Sequence, residues 1–296
     1  MIYGWQAGGG VLKISLFVAL TIMWVLSPLA AHADESIVIK HYQYQERYKF
    51  GHQLLLLAIS KLDIPFVVQG PTTQDVNEKR GENQILEGRL DIEWMSTTRD
   101  REDLLIPIKI PLYRGVLGLR LLLVTPTMHP SISEISTLDD LQSYTGGYSQ
   151  HWGDLPVFEA NNLRVDTSTV YESIFKKLIY GRFDYFHRGV QEIWDEQKRY
   201  NKQLIVADNI MLFYPHPVYF FVGKHRPELA KNLRRGLDIA MEDGSYKKLF
   251  FEYFEHYIKL GNLENRKLIV LNNPVVPQDT PALDTSWWMP MKYQNR

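Results

Sequence analysis

The stretch "YFFVGKHRPELAKNLRRGLDIAMEDGSYKKLFFEYF" (219–254) changes its periodicity twice. Its start belongs to "HPVYFFVG" (216–223), a short apolar run that predicts a central strand buried on both faces. Leu229, Leu233, Leu237 and Met241 then recur every four residues, the spacing of one helix face. Gly244 interrupts that helix. Tyr246, Leu249, Phe250, Tyr253, Phe254 and Tyr257 begin a second apolar stripe. Aromatic residues at helical spacing imply core packing before they imply a stacking platform. A buried strand followed by two one-faced helices is a unit of an α/β layered fold.

The same alternation runs outward from this block. Toward the N-terminus, "SIVIKH" (36–41), "IPFVVQG" (64–70) and "LDIEWMS" (90–96) predict strands. "GHQLLLLAISKL" (51–62) and "DVNEKRGENQILEG" (75–88) predict helices between them. "GVLGLRLLLVT" (115–125) predicts a second central strand, and Trp94, at a strand end, is assigned to the core. After "PTMHPSIS" (126–133), taken as a loop from its prolines and serines, the alternation restarts. A capped helix at 137–144, a strand at 163–167, a helix at 168–181 closed by Gly181, a strand at 182–187, a helix at 190–200 and a strand at 202–208 follow.

This pattern predicts two lobes, each a sheet flanked by helices, with the chain crossing between them near 124–128 and 208–216. Lobe one takes 34–124 and 216–296, and lobe two takes 125–215. A cleft between such lobes is a preferred place for a ligand. The proline-rich tail from 272, with "SWWMP" (286–290), is expected to pack on the body.

Residues 1–33 are expected to be a removable targeting segment. Lys13 is its positive flank, 14–30 its apolar run and "AHA" (31–33) its small-residue cleavage pattern. Export to a periplasm is implied. Without Lys13, the 33 basic residues of the whole chain fall to 32, against 34 acidic ones, a net charge near −2. That balance gives no sign of a nucleic-acid partner, and no long apolar span follows residue 33, so the mature chain is not expected to cross a membrane. Cysteine is absent, which removes disulfides, thiol nucleophiles and thiolate metal sites.

Phosphate-cradling loops, a G-x-S-x-G elbow and an H-x-x-x-H zinc pair are all missing. No carboxylate pair stands out for acid–base work. A binding protein is therefore favoured over an enzyme, with no cofactor and no metal expected.

The 219–254 block resembles the closing segment of bacterial extracellular solute-binding proteins of family 3, the amino-acid-type receptors of ABC importers with the type II periplasmic-binding-protein fold. Lys224, Pro227, Glu228, Leu229, Asp243, Gly244, Ser245 and Tyr246 carry the likeness. "GRFDYF" (181–186) and "LDDLQSYTGGYS" (138–149) resemble two further segments of that family, and together they span most of 36–258.

The resemblance also gives "STTRDRED" (96–103) a role. Thr98 and Arg101 match the family's Thr-x-x-Arg, followed by "IPLY" (110–113), and that arginine grips the ligand's carboxylate. A guanidinium fork suits a carboxylate because it donates two parallel hydrogen bonds. Arg99 is left as a surface residue. Among Tyr42, Tyr44 and Tyr48, where the family supplies an aromatic lid, Tyr44 is chosen. Ser149 and Trp152 of "SQHWGD" (149–154) are assigned to the lobe-two loop of the site, Trp152 as a ring stacked on the ligand.

One departure bears on the ligand. Family members that bind α-amino acids carry an aspartate five residues after the position of Asp184, where it holds the ammonium group; here that position is Gly189, beside Arg188. Arg188 is accordingly assigned to a second acidic or polar group of the ligand. The resulting expectation is a monomeric periplasmic protein that captures a small carboxylate-bearing solute for an ABC permease. A sensor subunit reporting to a membrane partner, or an enzyme on the same fold, are the rival readings.

Overall fold

A computed structural model describes residue 4 and residues 36–42, 48–70, 78–150 and 152–280. The targeting segment expected at 1–33 (save Gly4), Tyr44 and "SWWMP" lie outside the described residues. The chain divides into two compact units, 1–36 and 37–296, and the second contains every element named below.

A smaller sheet places β11 (Val218–Val222) between β3 (Ile92–Ser96) and β4 (Ile106–Ile108), both antiparallel to it. The apolar run at 216–223 is thus the central strand it was read to be. Pro107, which has no amide to donate, sits on the edge strand β4. Beside this sheet, β1 (Ile37–Lys40) pairs in parallel with β2 (Phe66–Gln69). Asp91 joins the two layers. Its amide donates to the Lys40 carbonyl at 2.9 Å, its carboxylate accepts the Lys40 amide at 2.8 Å, and its carbonyl accepts the Gly223 amide at 3.0 Å.

A larger, seven-stranded sheet runs β12 (Lys267–Val270), β10 (Ile210–Phe213), β5 (Leu119–Val124), β8 (Tyr185–Gly189), β6 (Thr145–Ser149), β7 (Arg164–Ser168), with the two-residue β9 (Ile205–Val206) also on β5. Strand β5 is interior and buried on both faces. Leu119, Leu121 and Leu123 enter the core cluster that also holds Phe50, Trp94, Phe220 and Phe250, while Leu122 and Val124 enter a second cluster with Tyr148, Phe158 and Leu212. Period-two alternation into two apolar layers is why this strand reads as a continuous hydrophobic run.

Helix α1 (Lys49–Ser60) packs against α9 (Pro227–Glu242) through Gly236, where an added Cβ would stand 2.1 Å from the Ala58 carbonyl oxygen. Gly244, left-handed at φ 78°, then turns the chain into α10 (Ser245–Gly261). The aromatic stripe of α10 is core: Phe250 and Phe254 lie 6.1 and 5.0 Å from the Phe50 ring, and the buried Tyr246 hydroxyl donates to the Leu112 carbonyl at 2.7 Å. In the other layer, Thr137 and Asp140 form a reciprocal cap on α5 (Leu138–Gln142), and α7 (Tyr171–Ile179) closes at Gly181, φ 66°.

Three features differ from the sequence reading. The 126–133 loop contains a helix, α4 (His129–Glu134), because Pro130 falls in the first turn, where no amide hydrogen bond is lost. The first crossing between sheets lies at 109–118, not at 124–128, since β5 hydrogen-bonds to β10 and β8 of the larger sheet. Residues 267–270, assigned to lobe one, also join the larger sheet through β10. Both displacements follow from strand pairing, which a local pattern does not carry. The chain passes back from the larger sheet to the smaller one at 214–217, between β10 and β11.

Candidate functional site

Between the two sheets lies a cleft of about 620 Å³. Ser96, Thr97, Thr98 and Arg101 reach it from the smaller sheet, Arg120, His187 and Arg188 from the larger one, and His216 and Pro217 from the second crossing. Tyr48, Glu78, Trp152, Asp154, Tyr171 and Glu192 complete much of the wall.

Arg101 is positioned by a capped helix. The Thr98 hydroxyl accepts the Arg101 amide at 3.2 Å at the start of α3 (Arg99–Leu104), so Arg99 and Asp100 face solvent while Arg101 is buried. Its guanidinium is already engaged. Nε donates to Glu82 at 3.1 Å, while Nη1 donates to the Ser96 carbonyl and lies 3.4 Å from Glu78. Burial pushes the Glu82 carboxyl up, but hydrogen bonds from Lys79 and Arg101 bring it below its ordinary value. The two-pronged grip expected of Arg101 would have to displace Glu78 or Glu82, because only Nη2 is without a protein partner among the described residues.

Arg120 stands at the heart of the cleft. Its Nε donates to the Tyr214 hydroxyl at 2.7 Å and its Nη2 lies 3.3 Å from Asp154. Asp154 also accepts the Tyr148 hydroxyl at 2.7 Å and the Tyr214 hydroxyl. Although burial opposes the charge, Arg120 and these two hydroxyls hold the Asp154 carboxyl well below the usual carboxylate range. The Arg120 guanidinium is raised in turn, by Tyr214 and Asp154 against the effect of burial.

Arg188 forms a two-pronged pair with Glu196, Nε to Oε2 at 2.7 Å and Nη2 to Oε1 at 2.7 Å, and lies 3.2 Å from Glu192. Its guanidinium carbon is 4.8 Å from the Trp152 ring centre. Trp152 in turn lies parallel to Phe186 at 5.7 Å, so much of its surface is spent on its own layer. Burial lowers the neighbouring His187 to about 3 and His216 to about 4, so both are neutral near pH 7. His216 shares a hydrogen bond with the Ser96 hydroxyl at 3.1 Å.

The structure therefore brings Thr98, Arg101, Trp152 and Arg188 to one cleft. Ser149 is buried at the end of β6 and does not line it. Tyr48 is the described tyrosine of the first segment on the wall, and Tyr42 is buried. Arg120, His187, His216 and Tyr171 were not singled out from the sequence. Arg120 did carry a cue: a lone cation within "GVLGLRLLLVT" has to find a partner once its strand is buried. Each of the three arginines keeps one terminal nitrogen without a protein partner among the described residues: Nη2 of Arg101, and Nη1 of Arg120 and Arg188. Among the described residues, no group of three His, Asp or Glu side chains is placed to hold a metal ion.

No family model matches the sequence, and neither does any curated protein. Solved structures do match. A Bacillus subtilis protein, YckB, is 15% identical over 80% of this chain and 96% of its own, with a TM-score of 0.53. A Streptococcus pneumoniae structure, named as the second substrate binding domain of an amino acid ABC transporter, is 13% identical over 74% of this chain and 99% of its own, TM-score 0.51. A Streptococcus mutans structure, from work on glutathione import via GshT and the cystine importer TcyBC, is 14% identical over 74% and 95%, TM-score 0.50. At these identities the likeness is one of fold, the two-lobed α/β fold of type II periplasmic binding proteins.

Proposed function

We propose that the protein captures a small, polar, carboxylate-bearing solute in the cleft between its lobes and delivers it to an ABC-type importer. The lobes in this reading are 37–108 with 218–261, and 119–213 with 267–270. The observation that supports it is a trio of arginines, Arg101 and Arg188 buried and Arg120 half-buried, each with one terminal nitrogen without a protein partner among the described residues, around a cavity of small-molecule size. Arg101 with Thr98 would hold the carboxylate from one lobe, and Arg120 and Arg188 would meet a second acidic or polar group from the other. Trp152 and Tyr48 would supply aromatic surface, and closure by hinge motion would expel water. Export to the periplasm with loss of residues 1–33 belongs to the same reading. No described helix is long and apolar enough to cross a membrane.

A thermal-shift screen of residues 34–296 against mono- and dicarboxylates tests this. A bound acid at ~100 times its dissociation constant stabilises by about 2.7 kcal/mol, and the gain should fall when Arg120 is changed to Lys. A panel that leaves the melting temperature unmoved would remove the reading.

A further inference from the structure

The chain's last described segment does not end at the sheet it completes. After β12, the Leu271 amide donates to the Phe213 carbonyl at 2.7 Å. Asn161, itself buried, then takes Asn272 by both backbone groups: its Nδ2 donates to the Asn272 carbonyl at 2.8 Å, and its Oδ1 accepts the Asn272 amide at 2.9 Å. One step on, Asn273 Nδ2 donates to the carbonyl of Pro215, in the second crossing, at 2.7 Å. Its Oδ1 accepts the Val275 amide at 3.1 Å and fixes a turn. Val275 and Val276 then line the cleft. At the far end Asp279 pairs with Lys109, in the first crossing, and Thr280 lies beside Tyr219 of β11. Residues 271–280 therefore run from the larger sheet, across both crossings, to the smaller one.

We propose that this segment is a strap forming one wall of the solute site, so that Val275 and Val276 select solutes with an apolar body attached to the anionic end, and that its two anchors limit how far the lobes part. The proposal rests on the carboxylate-solute reading above for its ligand. Both side-chain polar groups of Asn273 are used within the strap and crossing, so what the strap offers the cleft is two valine side chains. Those stand among Arg101, Arg120 and Arg188 with their acidic partners, in a cleft whose apolar surface otherwise comes from Tyr48, Trp152, Tyr171 and Pro217. A solute charged throughout would leave that wall uncovered, and an anion carrying an aliphatic or aromatic body would cover it. A strap anchored on both sheets must also stretch or detach when they separate.

Two measurements test the two halves. The chain has no cysteine, so Glu87→Cys and Arg182→Cys, both exposed and on opposite lobes, accept a dye pair without background. Releasing the strap with Asn273→Ala and Asp279→Ala should add a population with a longer interlobe distance by single-molecule energy transfer. An unchanged distribution overturns the tether. For the wall, 3-phenylpropionate and succinate are titrated against the full mature chain and Val275→Ser/Val276→Ser. Binding of 3-phenylpropionate should weaken about tenfold, with succinate altered less than about twofold. Equal losses for both acids, or none for 3-phenylpropionate, overturn the wall. If neither acid binds the unaltered protein, the carboxylate reading fails and the wall with it, while the distance measurement still judges the tether.

Discussion

Glu192 holds its carboxylate beside the point where a side chain on Gly189 would begin. Its Oε2 accepts the Gly189 amide at 3.1 Å and stands 2.8 Å from the position of a Cβ on residue 189. The same carboxylate is 3.2 Å from Arg188. By the resemblance drawn from the sequence, position 189 is where family members that bind α-amino acids would carry the aspartate that holds the ammonium group. Here a carboxylate from three residues on, in the turn that follows β8, stands beside that place, but it is already shared with a guanidinium.

An α-amino acid would therefore have to draw Glu192 from Arg188 and accept a cation nearby. Leaving a desolvated charge unpaired costs several kcal/mol, enough to remove micromolar affinity. The expected result is no submicromolar binding of any standard amino acid by calorimetry. Submicromolar binding that Glu192→Gln abolishes would show that Glu192 has replaced the aspartate. Gly189→Asp should push the Glu192 side chain away and set two like charges together, lowering the melting temperature without creating tight amino-acid binding.

Arg101 and Arg99 should respond differently to the same change. Arg101→Lys removes the Nε bond to the buried Glu82 and the Nη2 that would meet a carboxylate. Solute binding should weaken by roughly 1–3 kcal/mol, with a measurable loss of stability in urea. Arg99 is exposed, and Arg99→Lys should change neither. Equal effects from both variants would make the stretch at 96–103 a solvated turn.

Acid should destabilise the fold in two overlapping ranges. Histidines 41, 187 and 216 are lowered by burial, to about 4, 3 and 4, and stay neutral while their unfolded counterparts take up protons near pH 6.5. Their contribution is complete above that value and is lost as pH falls toward the folded values, at up to about 1.4 kcal/mol per pH unit for each group. Asp154, held low, adds stability above about pH 4 that disappears only in stronger acid. Among the described residues neither ring nitrogen of His187 has a hydrogen-bond partner, and the ring stacks on Phe158 at 4.2 Å. His187→Phe should cost less than ~1.5 kcal/mol at pH 7 and remove about one proton's slope between pH 6 and 5, read from urea midpoints. An unaltered slope would place the acid sensitivity elsewhere.

Gly236→Ala should destabilise by about 1–3 kcal/mol, because backbone oxygen of Ala58 occupies the space a methyl group needs and helices α1 and α9 must separate to admit it. Urea unfolding with an unchanged midpoint would contradict that packing.

Local sequence carried most of the layers. The four-residue repeat at Leu229–Met241, the helix stop at Gly244 and the apolar runs of β5 and β11 are effects of one chain segment meeting water or core, so they can be read from order alone. The resemblance assigned Thr98 and Arg101 through a short motif, while Trp152 and Arg188 were assigned where the sequence departs from the family's pattern, and Ser149, assigned with them, does not line the cleft. Tertiary structure decided the rest. Whether β5 and β12 belong to one sheet or the other depends on hydrogen bonds to strands distant in sequence. The partnership of Arg120 with Asp154 and Tyr214, and of Arg101 with Glu82, comes from the demand that a buried charge be compensated. Which residues answer that demand is a property of the packed chain, because pairing depends on distance in space and the sequence records only distance along the backbone.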